Sequence, residues 1–224
     1  MLKSGSFFLS LLIIVGLCQF AEAQDSLTLT GRVTDVKLLE ENPQSIAFEI
    51  QLELTLRNQS SATAIFYRDE LSVLGPELFT QTKDGQAELL HKQFTPSSTD
   101  RSPVWNDLRR RLNVPTPPSN LTLTLAGGQS LELNRKLVVR FYKNQYALAT
   151  WQEIRTRSPL FLRITLEVFP NNLDTDSKPG NTFGETLQTK WRRFGQLVVE
   201  PVRSEPIPIK FPGILDDRRL LLEL

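Results

Sequence analysis

Few side chains in this sequence could carry chemistry. His91 is the only histidine and Cys18 the only cysteine in 224 residues. A Ser-His-Asp triad could draw on His91 alone. That residue sits in the apolar run Leu89-Leu90-His91-Lys92, and no Gly-x-Ser-x-Gly elbow occurs anywhere. The expectation is therefore a surface or sheet-edge histidine. One histidine and one cysteine also remove most zinc ligand sets and cysteine nucleophiles. Paired carboxylates could serve a glycosidase. Glu49 and Glu53 share the polar face of one strand, about 13–14 Å apart at ~3.4 Å per residue, too far for either glycosidase geometry. Asp69-Glu70 and Asp216-Asp217 are adjacent pairs with no apolar pocket implied, and read as solvated surface.

The loop Asn171 to Ser177 offers Asn172, Asp174 and Asp176 as hard oxygen ligands at alternate positions, as a calcium loop requires. Its sixth position is Ser177 rather than Gly, and its twelfth is Phe183 rather than Glu, so the motif is broken. The sequence thus supplies no catalytic, cofactor or metal residue. What is left is two basic-aromatic clusters: Trp105 with Arg109, Arg110 and Arg111, and Trp191 with Lys190, Arg192 and Arg193. Two readings stand. The tryptophans plug the core under helices while their basic neighbours reach outward, or Trp and Arg together form a protein-recognition patch.

The elements that position these residues read mostly as strands. From Ile46 to Leu56 apolar Ile46, Phe48, Ile50, Leu52, Leu54 and Leu56 alternate with Ala47, Glu49, Gln51, Glu53 and Thr55. Successive strand side chains point to opposite faces, so one face is wholly apolar. Burying six such residues contributes about 9–18 kcal/mol gross, most of it offset by ordering entropy. Leu160, Leu162, Ile164, Leu166 and Val168 repeat the pattern between Pro159 and Pro170. Shorter candidates are Leu27–Val33, Ile65–Tyr67 leading to Leu71–Val73, Ala87–Phe94, Leu121–Leu125, Leu131–Phe141, Leu197–Val202 and Ile207–Phe211. Short-spaced strands without alternating long helices indicate an antiparallel sandwich rather than a parallel sheet.

Two helical insertions are expected. Ser102 caps the first, with Pro103 at its first position, Val104, Leu108 and Leu112 on one face, and three arginines in its last turn. Val114-Pro115-Thr116-Pro117-Pro118 then forms a stiff connector. The second spans Phe183 to Phe194, where Thr182 and Glu185 have capping-box spacing and Gly195 would cap the end. Gly184, Thr186 and Thr189 form helices poorly, so a strand ending at Gly195 is the alternative.

Lys3, the apolar run Phe7–Phe20 and Ala21-Glu22-Ala23 make a cleavable secretory signal over residues 1–23. An uncleaved anchor is the alternative, although the run falls short of the ~20 residues needed to span a bilayer. Leu17 before Cys18 argues against lipidation. Cleavage would remove the only Cys and the only Met, leaving an exported chain without disulfides, held by packing alone. The organisation expected is a signal at 1–23, one domain over 24–212 and a C-terminal tail at 213–224. The apolar tail residues Ile214, Leu215, Leu220, Leu221, Leu222 and Leu224 either pack back, meet a partner or fray. A net charge of +1 gives no case for nucleic acid or an anionic membrane. Asn58-Gln59-Ser60 and Asn120-Leu121-Thr122 match the glycosylation pattern.

Several segments together resemble bacterial immunoglobulin-like domains. Pro159 to Leu166 resembles their penultimate strand. Trp191, Gly195, Val202, Ser204, Glu205, Pro206, Ile207 and Ile209 resemble their Trp…Gly…Ser…Val-x-Ile ending. Phe48 to Leu56 with Arg57-Asn58-Gln59-Ser60 resembles an early strand and its turn. Gly127-Gly128-Gln129-Ser130 resembles the turn before a middle strand, without its proline. The resemblance implies an all-β, antiparallel immunoglobulin-like sandwich with one or two short helical insertions, and transfers no catalytic residue. The function expected is that of an exported, non-enzymatic binding or assembly module, periplasmic or secreted, with a protein partner and no cofactor. Its contact surfaces would be the loop ends, the basic-aromatic clusters or an open sheet edge. The alternatives are a carboxylate-dependent carbohydrate-active enzyme, and a protease inhibitor or chaperone-like client binder using Val114–Pro118 or Pro206-Ile207-Pro208.

Overall fold

The computed structural model describes residues 27–68, 71–93, 102–143, 149–170, 173 and 182–212. The signal segment and its cleavage site, Asp69-Glu70, the ligand row Asn172, Asp174 and Asp176, Asp216-Asp217 and the tail lie outside the described residues.

The chain is mostly β. In order it forms β1 (Leu27–Glu41), β2 (Ser45–Asn58), β3 (Ala64–Tyr67), β4 (Ser72–Gln81), β5 (Ala87–Lys92), α1 (Ser102–Leu112), β6 (Thr122–Leu125), β7 (Ser130–Tyr142), α2 (Trp151–Ile154), β8 (Leu160–Glu167), α3 (Phe183–Trp191), β9 (Gln196–Leu197), β10 (Val202–Arg203) and β11 (Ile207–Ile209). Three sheets result. The first has the order β1-β2-β7, and the second β10-β8-β4-β5 with β11 also on β8. The third, smaller one is β6-β3-β9. All pairs are antiparallel except β3 with β9.

The strict alternation of β2 becomes burial. Its six apolar residues are at most 4% exposed. Ala47, on the opposite face, is buried too, because Glu40 and Arg140 flank it in register and pair with each other at 2.9 Å. On β8, Leu160, Leu162, Ile164 and Leu166 are buried likewise. The inner faces of the first two sheets share one core, which also takes in Trp151 and Ile154 of α2 and Phe211. At one end Phe48, Phe141, Trp151 and Phe211 pack ring to ring with centroids 4.9–6.1 Å apart.

Several elements differ from the sequence expectation. β1 runs eight residues past Val33, held by pairing to β2. The stretch 197–202 is not one strand but β9 and β10 separated by irregular chain. The ambiguous segment is a helix, with the Thr182–Glu185 capping box formed in both directions. It ends at Trp191, with Arg192 as its cap, so Gly195 is not the cap. Gly195 answers a different demand: a Cβ there would lie 2.3 Å from the Thr63 carbonyl oxygen, where β9 joins β3. The box Thr150–Glu153 that starts α2 was not anticipated.

Candidate partner-binding face

Sheet β6-β3-β9 carries a second core of its own. Ile65, Tyr67, Leu121 and Leu197 meet Leu108 and Leu112 of α1, Leu187 and Trp191 of α3, and Phe169 and Leu173. The two basic-aromatic clusters, far apart in sequence, converge here because the helix ends meet. The Trp191 indole Nε1 donates to the Val114 carbonyl at 2.9 Å, and the Lys190 ammonium donates to Asn113 Oδ1.

This arrangement sorts the seven expected patch residues. Trp191 is fully buried and belongs to the core, so it is lost to any contact surface. Trp105 is half-buried against the same cluster. Arg109 lies along the surface, with Nε donating to the Leu173 carbonyl at 2.9 Å. Arg110, Arg111, Arg192 and Arg193 are exposed. Arg110 reaches Asp107 at 2.6 Å and Arg111 reaches it at 4.0 Å. Arg193 stacks over Phe194, 4.7 Å from the ring centre. Converging helix C-termini present unpaired carbonyls, and cations there are favourable by about 0.3–1 kcal/mol each. That accounts for Arg109 and Lys190. It leaves Arg192 and Arg193 beyond the helix, with no ion pair among the described residues.

Sequence reasoning missed two parts of this face. Val104, expected on one apolar face of α1 with buried Leu108 and Leu112, is instead 59% exposed, because it lies in the first turn, outside the helical-layer core, and Phe194 is 38% exposed. Beside α3 opens a groove of about 850 Å³, lined among others by Gly184, Gln188, Arg192, Val199 and Pro201. No periodicity marks the irregular chain from 198 to 201, so the groove had no sequence signal. A second recess of about 680 Å³ lies between Val33–Val36 of β1 and Pro208–Pro212.

The remaining candidates are spread through the two larger sheets. Of the two positions expected for His91, the structure gives the sheet edge, on β5, and not the surface: its ring points inward and is 7% exposed. It packs edge-on against Phe141 at 4.8 Å. Burial pushes its pKa down to about 4, and Nε2 has no hydrogen-bond partner. Glu49 pairs with Lys136 at 3.1 Å and Glu53 with Arg32 at 2.5 Å. Glu77 sits between Lys92 and Arg203. Burial raises its carboxyl, and the two cations outweigh burial, so it stays below the usual range. Among the described residues no three of His, Cys, Asp or Glu are grouped to hold a metal ion. Asn58 is buried, its amide donating to the Ala62 and Leu125 carbonyls at 2.8 and 2.9 Å, which leaves no room for a glycan.

No family model matches the chain, and no curated protein matches it. It is similar to a solved structure titled "X-ray structure of Northeast Structural Genomics Consortium target SoR45", at 8% identity and a TM-score of 0.30, over 86% of this chain and 92% of that one. A likeness of that degree supports no statement about fold or function. No helix among the described residues is long and apolar enough to cross a membrane.

Proposed function

We propose that this chain is an exported, non-enzymatic binding module of the immunoglobulin-like kind, acting in the periplasm or outside the cell. Its layer of two helices meets an acidic protein partner. The observation that carries this reading is the meeting of the C-terminal ends of α1 and α3, which brings Arg109–Arg111 near Lys190, Arg192 and Arg193, in a chain whose net charge is only +1. A near-neutral protein that gathers cations in one place favours encounter with an acidic surface. Val104, Phe194 and the adjoining groove supply the apolar contact that charge alone lacks.

Strand order supports the immunoglobulin-like part. Labelled in the usual way, β1, β2 and β7 correspond to A, B and E, while β10/β11, β8, β4 and β5 correspond to G, F, C and C′. The parallel bridge from Leu29 to Ser204 joins the first strand to the last. On this reading β3, β6, β9 and the helices are elaborations that build the binding face. Export rests on the pattern of residues 1–23.

The test is crosslinking in cell-envelope extracts with the native chain and with Arg110→Glu, Arg111→Glu, Arg192→Glu and Arg193→Glu combined. The native chain should capture one acidic partner, and the folded variant should lose it. Equal capture by both, or none by the native chain, would overturn the reading. An intact mass beginning at Gln24 checks the export step.

A further inference from the structure

We propose that β7 pairs edge to edge with β7 of a second copy of this chain. Sheet edges invite pairing, and folded proteins blunt them with bulges, short strands or cover. Two edge strands here are blunted. β1 shifts register against β2 at Val33/Asp35 and again at Leu38/Glu40, and its start is bridged to Ser204. β5 has six residues and a register shift against β4. The strand β7 is different. It pairs with β2 over thirteen residues, from Tyr142 to Ser130, with no shift at all.

The direction of its backbone groups can be read from its neighbours. The Lys143 N–H donates toward the β2 side, to the Gln44 carbonyl at 2.8 Å. The Arg140 N–H points the other way, to Gln93 Oε1 at 3.4 Å. Alternate residues share a direction, so Glu132, Asn134, Lys136, Val138, Arg140 and Tyr142 turn their backbone groups to the open side. The Arg135 guanidinium covers the Asn134 carbonyl. For Glu132, Lys136 and Val138 no partner on that side exists among the described residues. Val138 and Tyr142 are also exposed side chains, at 44% and 49%.

Side chains already serve two positions of this row, Gln93 at Arg140 and Arg135 at Asn134, the latter also donating to the Leu71 carbonyl. A second backbone strand would serve the rest and take the place of Gln93, and the row complements itself. Laid antiparallel and centred on Lys136, two copies overlap over the whole strand. Glu132, which accepts from Thr55 of its own chain, then faces Arg140 of the second copy, which already pairs with Glu40, twice by symmetry. On the inner face Leu131 meets Phe141 and Leu133 meets Val139. Half-buried Leu131 and Leu137 lose their remaining exposure. The opposed Lys136 pair is the unfavourable element, tempered by the pairing of each with its own Glu49.

The test is light scattering on the full chain carrying Cys18→Ser, over rising concentration. The mass should climb from 25.5 kDa towards that of two copies. Val138→Pro removes only an open-side N–H and should hold one-copy mass with an unchanged melting curve. Lys136→Ala should associate more tightly. Lys136→Cys supplies the sole thiol and should crosslink under mild oxidation, since opposed residues in such a pair suit a disulfide. One-copy mass at every concentration, or two-copy mass untouched by Val138→Pro, overturns the proposal. Should Val138→Pro unfold, the crosslink decides alone, and its absence overturns the proposal. The four-arginine reversal on the helical face should leave the mass unchanged, which separates this surface from the other.

Discussion

The two larger sheets and the helical layer both have buried cores, but they are assembled differently. The larger sheets take their interior from long strands, each giving several residues in a row: six from β2 and four from β8. The layer on β6-β3-β9 takes its interior from scattered short segments, which give one or two residues each and close around Trp191. Many parallel contributions make one region redundant. Dependence on one indole, fixed by one hydrogen bond to Val114, makes the other brittle. The binding face proposed above stands on the brittle region.

Trp191→Ala and Phe48→Ala test that contrast first. Each removes a fully buried aromatic, for which losses of about 3–5 kcal/mol are typical. Phe48→Ala should weaken the whole molecule. Trp191→Ala should speed amide exchange in α1 and α3 first, while β2 and β8 stay protected. Uniform acceleration in both variants would mean that the two regions are one cooperative unit.

Acid should act on the two larger sheets through His91. His91 is neutral in the folded chain down to about pH 4, whereas unfolded His titrates near 6.5. Between those values the unfolded chain binds more protons, so stability falls as pH drops from about 6.5 to 4, by up to about 3 kcal/mol. Urea unfolding at stepped pH measures this, and His91→Phe should flatten the slope. An unchanged slope would show that other groups carry it.

Asn58 joins the regions. It ends β2 and bonds the carbonyls of Ala62 and Leu125, beside β3 and β6. Asn58→Ala strands two buried carbonyls and should cost about 1–3 kcal/mol. If the regions are separable, exchange should rise at β3 and β6 more than at β8. The smallest effect is expected from Thr182→Ala, which unmakes the α3 capping box at a cost of about 1 kcal/mol, read from local exchange in α3.

The same contrast explains what could be read in the sequence. β2 and β8 were legible because a buried sheet face imposes a period of two, and apolar residues obeyed it. α3 was legible from its capping box, and α1 from Pro103 and the Leu108–Leu112 spacing, although Ser102 is the first residue of α1 and not its cap. Convergence of the two arginine clusters was not, because no local rule relates Val114 to Trp191. The fate of Trp191 was open for the same reason: its spacing suits a plug and a patch equally. His91 was read at a sheet edge, where it lies, but its burial was not legible, because an edge strand has an inward face too. β3 and β6 were read as short strands, but their joining with β9 into a third sheet, and the groove beside α3, were not legible, because pairings two to four residues long link segments that no local period relates.

The contact between Leu29 and Ser204 also has a meaning in time. A chain emerging from the ribosome makes β1 early and its second neighbour almost last. Sheet pairing between such distant residues is slow. Until the final strands arrive, one flank of β1 has nothing to bond. Latching of β1 therefore waits for the segment around Ser204, and a chain shortened before Val202 would leave that flank of β1 open to other chains.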